Sequence, residues 1–125
     1  MLATNLLRIS VLVGIVGFLL GIFMGIREDF VLVPAHAHLN LLGYVGLFLA
    51  ALYYSAVPAA AAGRLAVIQA SLAVAGAIVL PVGIATVLLA GTGYIVLPIV
   101  GSLLALAALV LFAVIVFRYG LPQRS

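Results

Sequence analysis

The sequence contains no cysteine and no lysine, and its 125 residues include only two acidic side chains and two histidines. Without cysteine there are no disulfides, no iron–sulfur clusters and no thiolate chemistry. Charged residues make up 6% of the chain and hydrophobic ones 69%, with a mean hydropathy of +1.55. A water-soluble domain this short has too much surface for its volume to hide so much apolar side chain. A bilayer removes that difficulty. A helix crosses about 30 Å of hydrocarbon with about 20 apolar residues, so four crossings take roughly 80 to 90 residues and leave only short loops. The chain reads as one domain over residues 1–125, with no room for a soluble module. The net charge of +3 comes from arginines. They sit at the ends of the apolar runs, where they report membrane topology and do not indicate a nucleic-acid partner.

The expected fold is all-α, an integral membrane four-helix bundle with helices near residues 6–26, 35–57, 65–89 and 94–119. The first apolar run, Ile9–Ile26, exceeds the usual length of a signal-peptide core. No small-residue cleavage site directly follows it, so it reads as a retained helix. Arg27-Glu28-Asp29 is a polar break. Pro34 suits the first turn of helix 2, where a missing N–H is not needed. Pro58 stops that helix. Pro81 falls inside helix 3, where it should kink the helix and free a carbonyl. Gly91-Thr92-Gly93 reads as a tight turn, and Leu121–Ser125 as a polar tail. Gly17, Gly21 and Gly25, with Gly14 beside them, form a small-residue stripe. Ala66, Ala70, Ala73 and Ala77 form another. Such stripes allow close helix approach, within one chain or between subunits.

Orientation follows from the arginines. The N-terminus, the second loop and the C-terminus carry Arg8, Arg64, Arg118 and Arg124. The opposite side carries only Arg27, beside two acids. The positive-inside rule puts both termini in the cytoplasm and the start of helix 2 outside. A bacterial or archaeal cytoplasmic membrane is the expected location.

The chemistry concentrates at the start of helix 2, in Pro34-Ala35-His36-Ala37-His38-Leu39-Asn40-Leu41-Leu42-Gly43-Tyr44. Polar and ionisable groups at membrane depth are rare and mark functional positions. Two residues apart on a helix, His36 and His38 point about 200° from each other. They do not chelate one ion together, as an i, i+4 pair would. Each serves its own site, or one site shared with another helix or subunit. Spacings of four and seven place Asn40 and Gly43 on the His36 face. Gly43 would leave space for a flat ligand such as a porphyrin, and Asn40 would hydrogen-bond it or its surroundings. His38 is expected to share a face with Leu42 and Val45. Near a helix N-terminus the macrodipole disfavours imidazolium, and neutral imidazole is the metal-ligating form. Histidines that only anchor at headgroup level or bond a carbonyl are the structural alternative. Arg27, Glu28 and Asp29 read as a solvated loop, or Arg27 as a partner for haem propionates. Tyr44, Tyr53 and Tyr54 read as packing or interface residues. Gln69 and Thr86 are candidates for interhelical hydrogen bonds.

His36-Ala37-His38-Leu39-Asn40-Leu41-Leu42-Gly43 resembles the His-x-His stretch of the catalytic subunit of haem-copper oxidases. There the motif opens a transmembrane helix near the outer side, and its histidines bind two different haems on opposite faces. The His-Ala-His form is also similar to haem- and copper-binding membrane proteins of the nitric-oxide response. The oxidase subunit has twelve helices in three arcs of four. The resemblance therefore implies that this chain is one arc, and that a homotrimer reproduces the twelve-helix shape by ordinary cyclic assembly. His36 of one subunit and His38 of its neighbour would hold a b-type haem. The implied function is a haem b-binding membrane protein of electron-transfer or haem-redox type, with an unidentified redox partner. Two histidines are too few for the oxidase copper centre, and no intramembrane acid or lysine offers a proton channel, so terminal oxidase activity and proton pumping are not expected. Without a cysteine pair the haem would be non-covalent. The other readings are a copper or zinc site formed by histidines from several subunits, and a non-catalytic membrane scaffold.

Overall fold

The computed structural model describes residues 1–121. Pro122–Ser125, including the Arg124 of the orientation argument, lie outside the described residues. Four stretches are long and apolar enough to cross a membrane: Leu2–Arg27, Val33–Ala56, Arg64–Ala90 and Thr92–Tyr119.

The first span is one helix, α1 (Leu2–Arg27). It stops where the apolar run meets Arg27-Glu28-Asp29. Glu28 adopts a left-handed conformation (φ 51°, ψ 30°). Its N–H donates to the Gly25 carbonyl, and the Asp29 N–H reaches back to Met24. Carbonyls that α1 would otherwise leave open are thereby satisfied. Asp29 then accepts the Val31 N–H on its side chain at 3.1 Å, a local turn typical of aspartate.

The second span has three parts. Helix α2 (Val33–His38) carries Pro34 in its first turn, as the sequence predicts. Leu39–Gly46 is a π-helix, and α3 (Leu47–Ala56) completes the crossing. Val57 leaves helical geometry (φ −124°, ψ 74°), as a residue before proline tends to. Pro58 ends α3 and also opens a one-turn helix, α4 (Pro58–Ala61).

Helix α5 (Arg64–Ala90) runs on through Pro81, which is buried. Proline cannot donate to the carbonyl four residues back, here that of Ala77. Gly91 follows at φ 102°, a value that side chains avoid. A 3₁₀ turn (Thr92–Tyr94) leads into α6 (Val96–Tyr119).

The spans pack in chain order. The second span touches α1 on one side and α5 on the other, and α6 lies along α5. Glycines set the α5–α6 spacing. A side chain at Gly76 would meet the backbone of Ala105, one at Gly83 the backbone of Leu97 and Pro98, and one at Gly101 the backbone of Leu80. Both small-residue stripes serve packing within the chain. The alanines of α5 at positions 66, 70 and 77 are buried, and three of the α1 glycines face the second span.

Tyr54, Leu47, Ile115 and Ser10 are almost fully enclosed. Tyr54 donates to Gln69 Oε1 at 2.8 Å, and Gln69 Nε2 donates to the Ala108 carbonyl at 3.3 Å. The interhelical role expected of Gln69 is thus present, tying the second span, α5 and α6 together. Thr86 differs from expectation: it donates to Val82 on its own helix at 2.8 Å. Serine and threonine hydroxyls readily take this local bond. Tyr53 donates to the Gly120 carbonyl at 3.0 Å, pinning the end of α6 to the end of α3. At most 28% of any span's most apolar stretch is buried. The remaining apolar surface suits hydrocarbon, since water would penalise it.

Candidate functional site

Three side chains of the second span fit against three glycines of α1. Tyr44 lies over Gly14, Asn40 over Gly17 and His36 over Gly21. A Cβ at Gly21 would stand 2.8 Å from His36 Cε1, and one at Gly14 would stand 2.8 Å from the Tyr44 ring. Gly25 faces open space and takes no part. The stripe is therefore a cradle built for three specific side chains.

Asn40 holds the centre of this row. Its amide Nδ2 donates to the His36 carbonyl oxygen at 3.0 Å and lies 3.2 Å from His36 Nδ1. Its Oδ1 is buried and has no hydrogen-bond partner among the described residues. An unpaired buried acceptor is costly in an apolar medium. Where Asn40 bonds the His36 carbonyl, the helix widens into the π form. A side chain that competes for a backbone acceptor loosens the regular ladder, and π segments accompany functional sites more often than chance.

The π segment changes which residues share a face. A regular helix would put Gly43 beside His36 and Asn40. In the wider turn Tyr44 takes that place, and Gly43 is turned toward Val13 and the Ala77 carbonyl. The space expected at Gly43 is thus filled by Val13. Val45 likewise joins the His36 groove, whereas the sequence spacing assigns it to His38. Tyr44 packs, as the sequence suggests, but its place in the row beside His36 and Asn40 is not foreseen there. Its edge-on contacts with Phe18 and Phe48, at 6.3 and 6.1 Å between ring centres, hold it in the row.

His36 is half-buried and opens on a groove of about 530 Å³, walled by Phe18, Ile22, Tyr44 and Val45. His38 opens on a different groove, of about 360 Å³, walled by Leu80, Ile84, Ile95, Pro98 and Ile99. The two rings point to different faces, as their spacing predicts. His38 Nδ1 donates to the Pro34 carbonyl at 2.7 Å. A carbonyl only accepts, so Nδ1 carries a proton, and Nε2 is the ring nitrogen without a hydrogen-bond partner among the described residues. A histidine whose far nitrogen bonds a carbonyl is the usual arrangement of a metal ligand.

Arg27 is exposed at the end of α1, with its guanidinium 6.0 Å from the centre of the Phe23 ring. No group of three or more His, Cys, Asp or Glu side chains gathers among the described residues. Compared with protein-family models, curated proteins and solved structures, the chain matches none of them.

Proposed function

We propose that the chain is a haem b-binding integral membrane protein whose iron is held by histidine, with an electron-transfer or simple redox role. The observation that carries this reading is His38. Its ring is fixed through Nδ1 by Pro34 and leaves Nε2 for a groove walled by aliphatic side chains. That donor set suits haem iron, and an apolar surround suits the porphyrin.

His36 supplies the second ligand. The Asn40 amide nitrogen lies 3.2 Å from His36 Nδ1 and 3.5 Å from Nε2, against the ring, while it donates to the His36 carbonyl. Asn40 is therefore a positioning residue, and the α1 glycines fix where the His36 ring stands.

The two histidine grooves lie on different faces of the chain. A haem bridging His36 and His38 joins unlike faces of neighbouring copies. Such head-to-tail contacts close into a ring when the rotation between copies closes, and a homotrimer would provide three equivalent sites. Both termini lie in the cytoplasm by the arginine distribution, which puts the histidines near the outer surface with Arg27 close enough to that surface to pair with propionates.

Bound haem supplies one-electron redox chemistry. With two histidines on the iron no position is open to small gases, which favours electron transfer. Carbon monoxide tests this point. The reduced protein is expected to leave its absorption bands unshifted under the gas. A shifted band would mean a single histidine ligand and a gas-binding role. Copper or zinc without a Soret band would instead favour a metal site shared between subunits.

A further inference from the structure

A separate recess of about 230 Å³ lies between the second span, α5 and α6, and neither histidine lines it. Four alanines, Ala73, Ala77, Ala105 and Ala108, line it together with leucines and Phe112. Phe112 is itself held edge-on by Tyr53 and Tyr54, at 5.3 and 6.0 Å between ring centres. Leu49 and Leu109, 59% and 63% exposed, flank its opening.

One polar side chain lines this slot. Gln69 is 3% exposed and lies in the middle of the bundle. Its Oε1 accepts from Tyr54, and its Nε2 donates to Ala108. An amide has two N–H donors and two acceptor lone pairs. Gln69 therefore keeps one donor and one lone pair without a partner among the described hydrogen bonds. A half-satisfied buried amide is costly where no water reaches it.

We propose that this slot binds a membrane-dissolved molecule with a flat ring bearing a carbonyl or hydroxyl, of the quinone and quinol class. The ring lies between the alanine walls against Phe112. Its oxygen takes the free Gln69 N–H, and its alkyl tail leaves past Leu49 and Leu109. The size agrees: an apolar cavity of about 150 Å³ accepts benzene, so a substituted ring fits here. A lipid acyl chain would fill the slot but leave Gln69 unanswered. This assignment rests on Gln69 and the slot alone and does not depend on haem.

The test uses the full-length protein in detergent with decyl-substituted benzoquinone as probe. Binding is measured by equilibrium dialysis against protein-free micelles. Saturable binding near one probe per chain is expected. Gln69→Leu should weaken it about tenfold, Ala73→Leu should abolish it by filling the slot, and His38→Ala should leave it unchanged. Should Gln69→Leu fail to fold, Ala73→Leu carries the test, since it leaves the Gln69 bonds in place. Uptake no greater than that of empty micelles would overturn the proposal. So would equal affinity in wild type and Ala73→Leu. Displacement of the probe by decane as readily as by unlabelled quinone would assign the slot to acyl chains and also overturn it.

Discussion

Asn40 donates its side-chain amide to the carbonyl oxygen of His36, one turn earlier in the same helix, at 3.0 Å. This bond stands where the regular helix gives way to the π segment. It fixes the Asn40 amide against His36 and leaves Oδ1 without a donor. Asn40→Leu should remove both effects. The expected result is lost or weakened haem retention with the helical circular dichroism unchanged. Asn40→Gln, which keeps an amide, should retain more haem than Asn40→Leu. Equal retention in both variants would contradict a positioning role for the amide.

The glycine cradle makes a graded prediction. Gly17→Ala places a methyl into Asn40, whereas Gly25→Ala faces open space. Overpacking of this kind costs about 1–3 kcal/mol. Thermal unfolding in detergent should show Gly17→Ala clearly destabilised. Gly25→Ala should be neutral or slightly stabilised, because alanine is the better helix former.

The Tyr54–Gln69–Ala108 bonds are buried between three spans. Tyr54→Phe removes one partner from Gln69 and should cost about 1–3 kcal/mol. Gln69→Leu should cost a similar amount. Residues of one network do not act independently, so the double variant should lose less than the sum of the two. Strict additivity in detergent unfolding would mean that the hydrogen bond contributes nothing.

Glu28 is the one non-glycine residue with positive φ among the described residues. That conformation costs a side-chain-bearing residue about 1 kcal/mol. Glu28→Gly should therefore stabilise the α1 terminus slightly, by about 0.5–1 kcal/mol. Glu28→Val, with a branched Cβ, should destabilise it. A reversed order would indicate that the Glu28 carboxylate has a role of its own.

The four long apolar helices are legible in the sequence because hydrophobic length is a strong signal. Pro34, Pro58 and Gly91 mark their ends within a few residues. The tie from Gln69 to its neighbours is legible too, since a buried amide in hydrocarbon requires partners. The π segment is not. Its residues, Leu39–Gly46, have ordinary helical composition, and reading them at 3.6 residues per turn exchanges Gly43 for Tyr44 beside His36. Asn40 four residues after His36 is the only sequence feature that hints at the widening. The glycine stripe is visible as a stripe, but its three partners emerge only when α1 and the second span are placed side by side. Thr86 bonds within its own helix because the carbonyl four residues back is always in reach, a choice that composition does not reveal.

Haem ligation by both histidines is the central claim, and a reduced-minus-oxidised absorption spectrum of the detergent-purified protein tests it most directly. The wild type should show sharp b-type bands, and both His36→Ala and His38→Ala should lose them. No haem band in the wild type, even after haem is added back, would contradict the claim, as would unchanged bands in either variant.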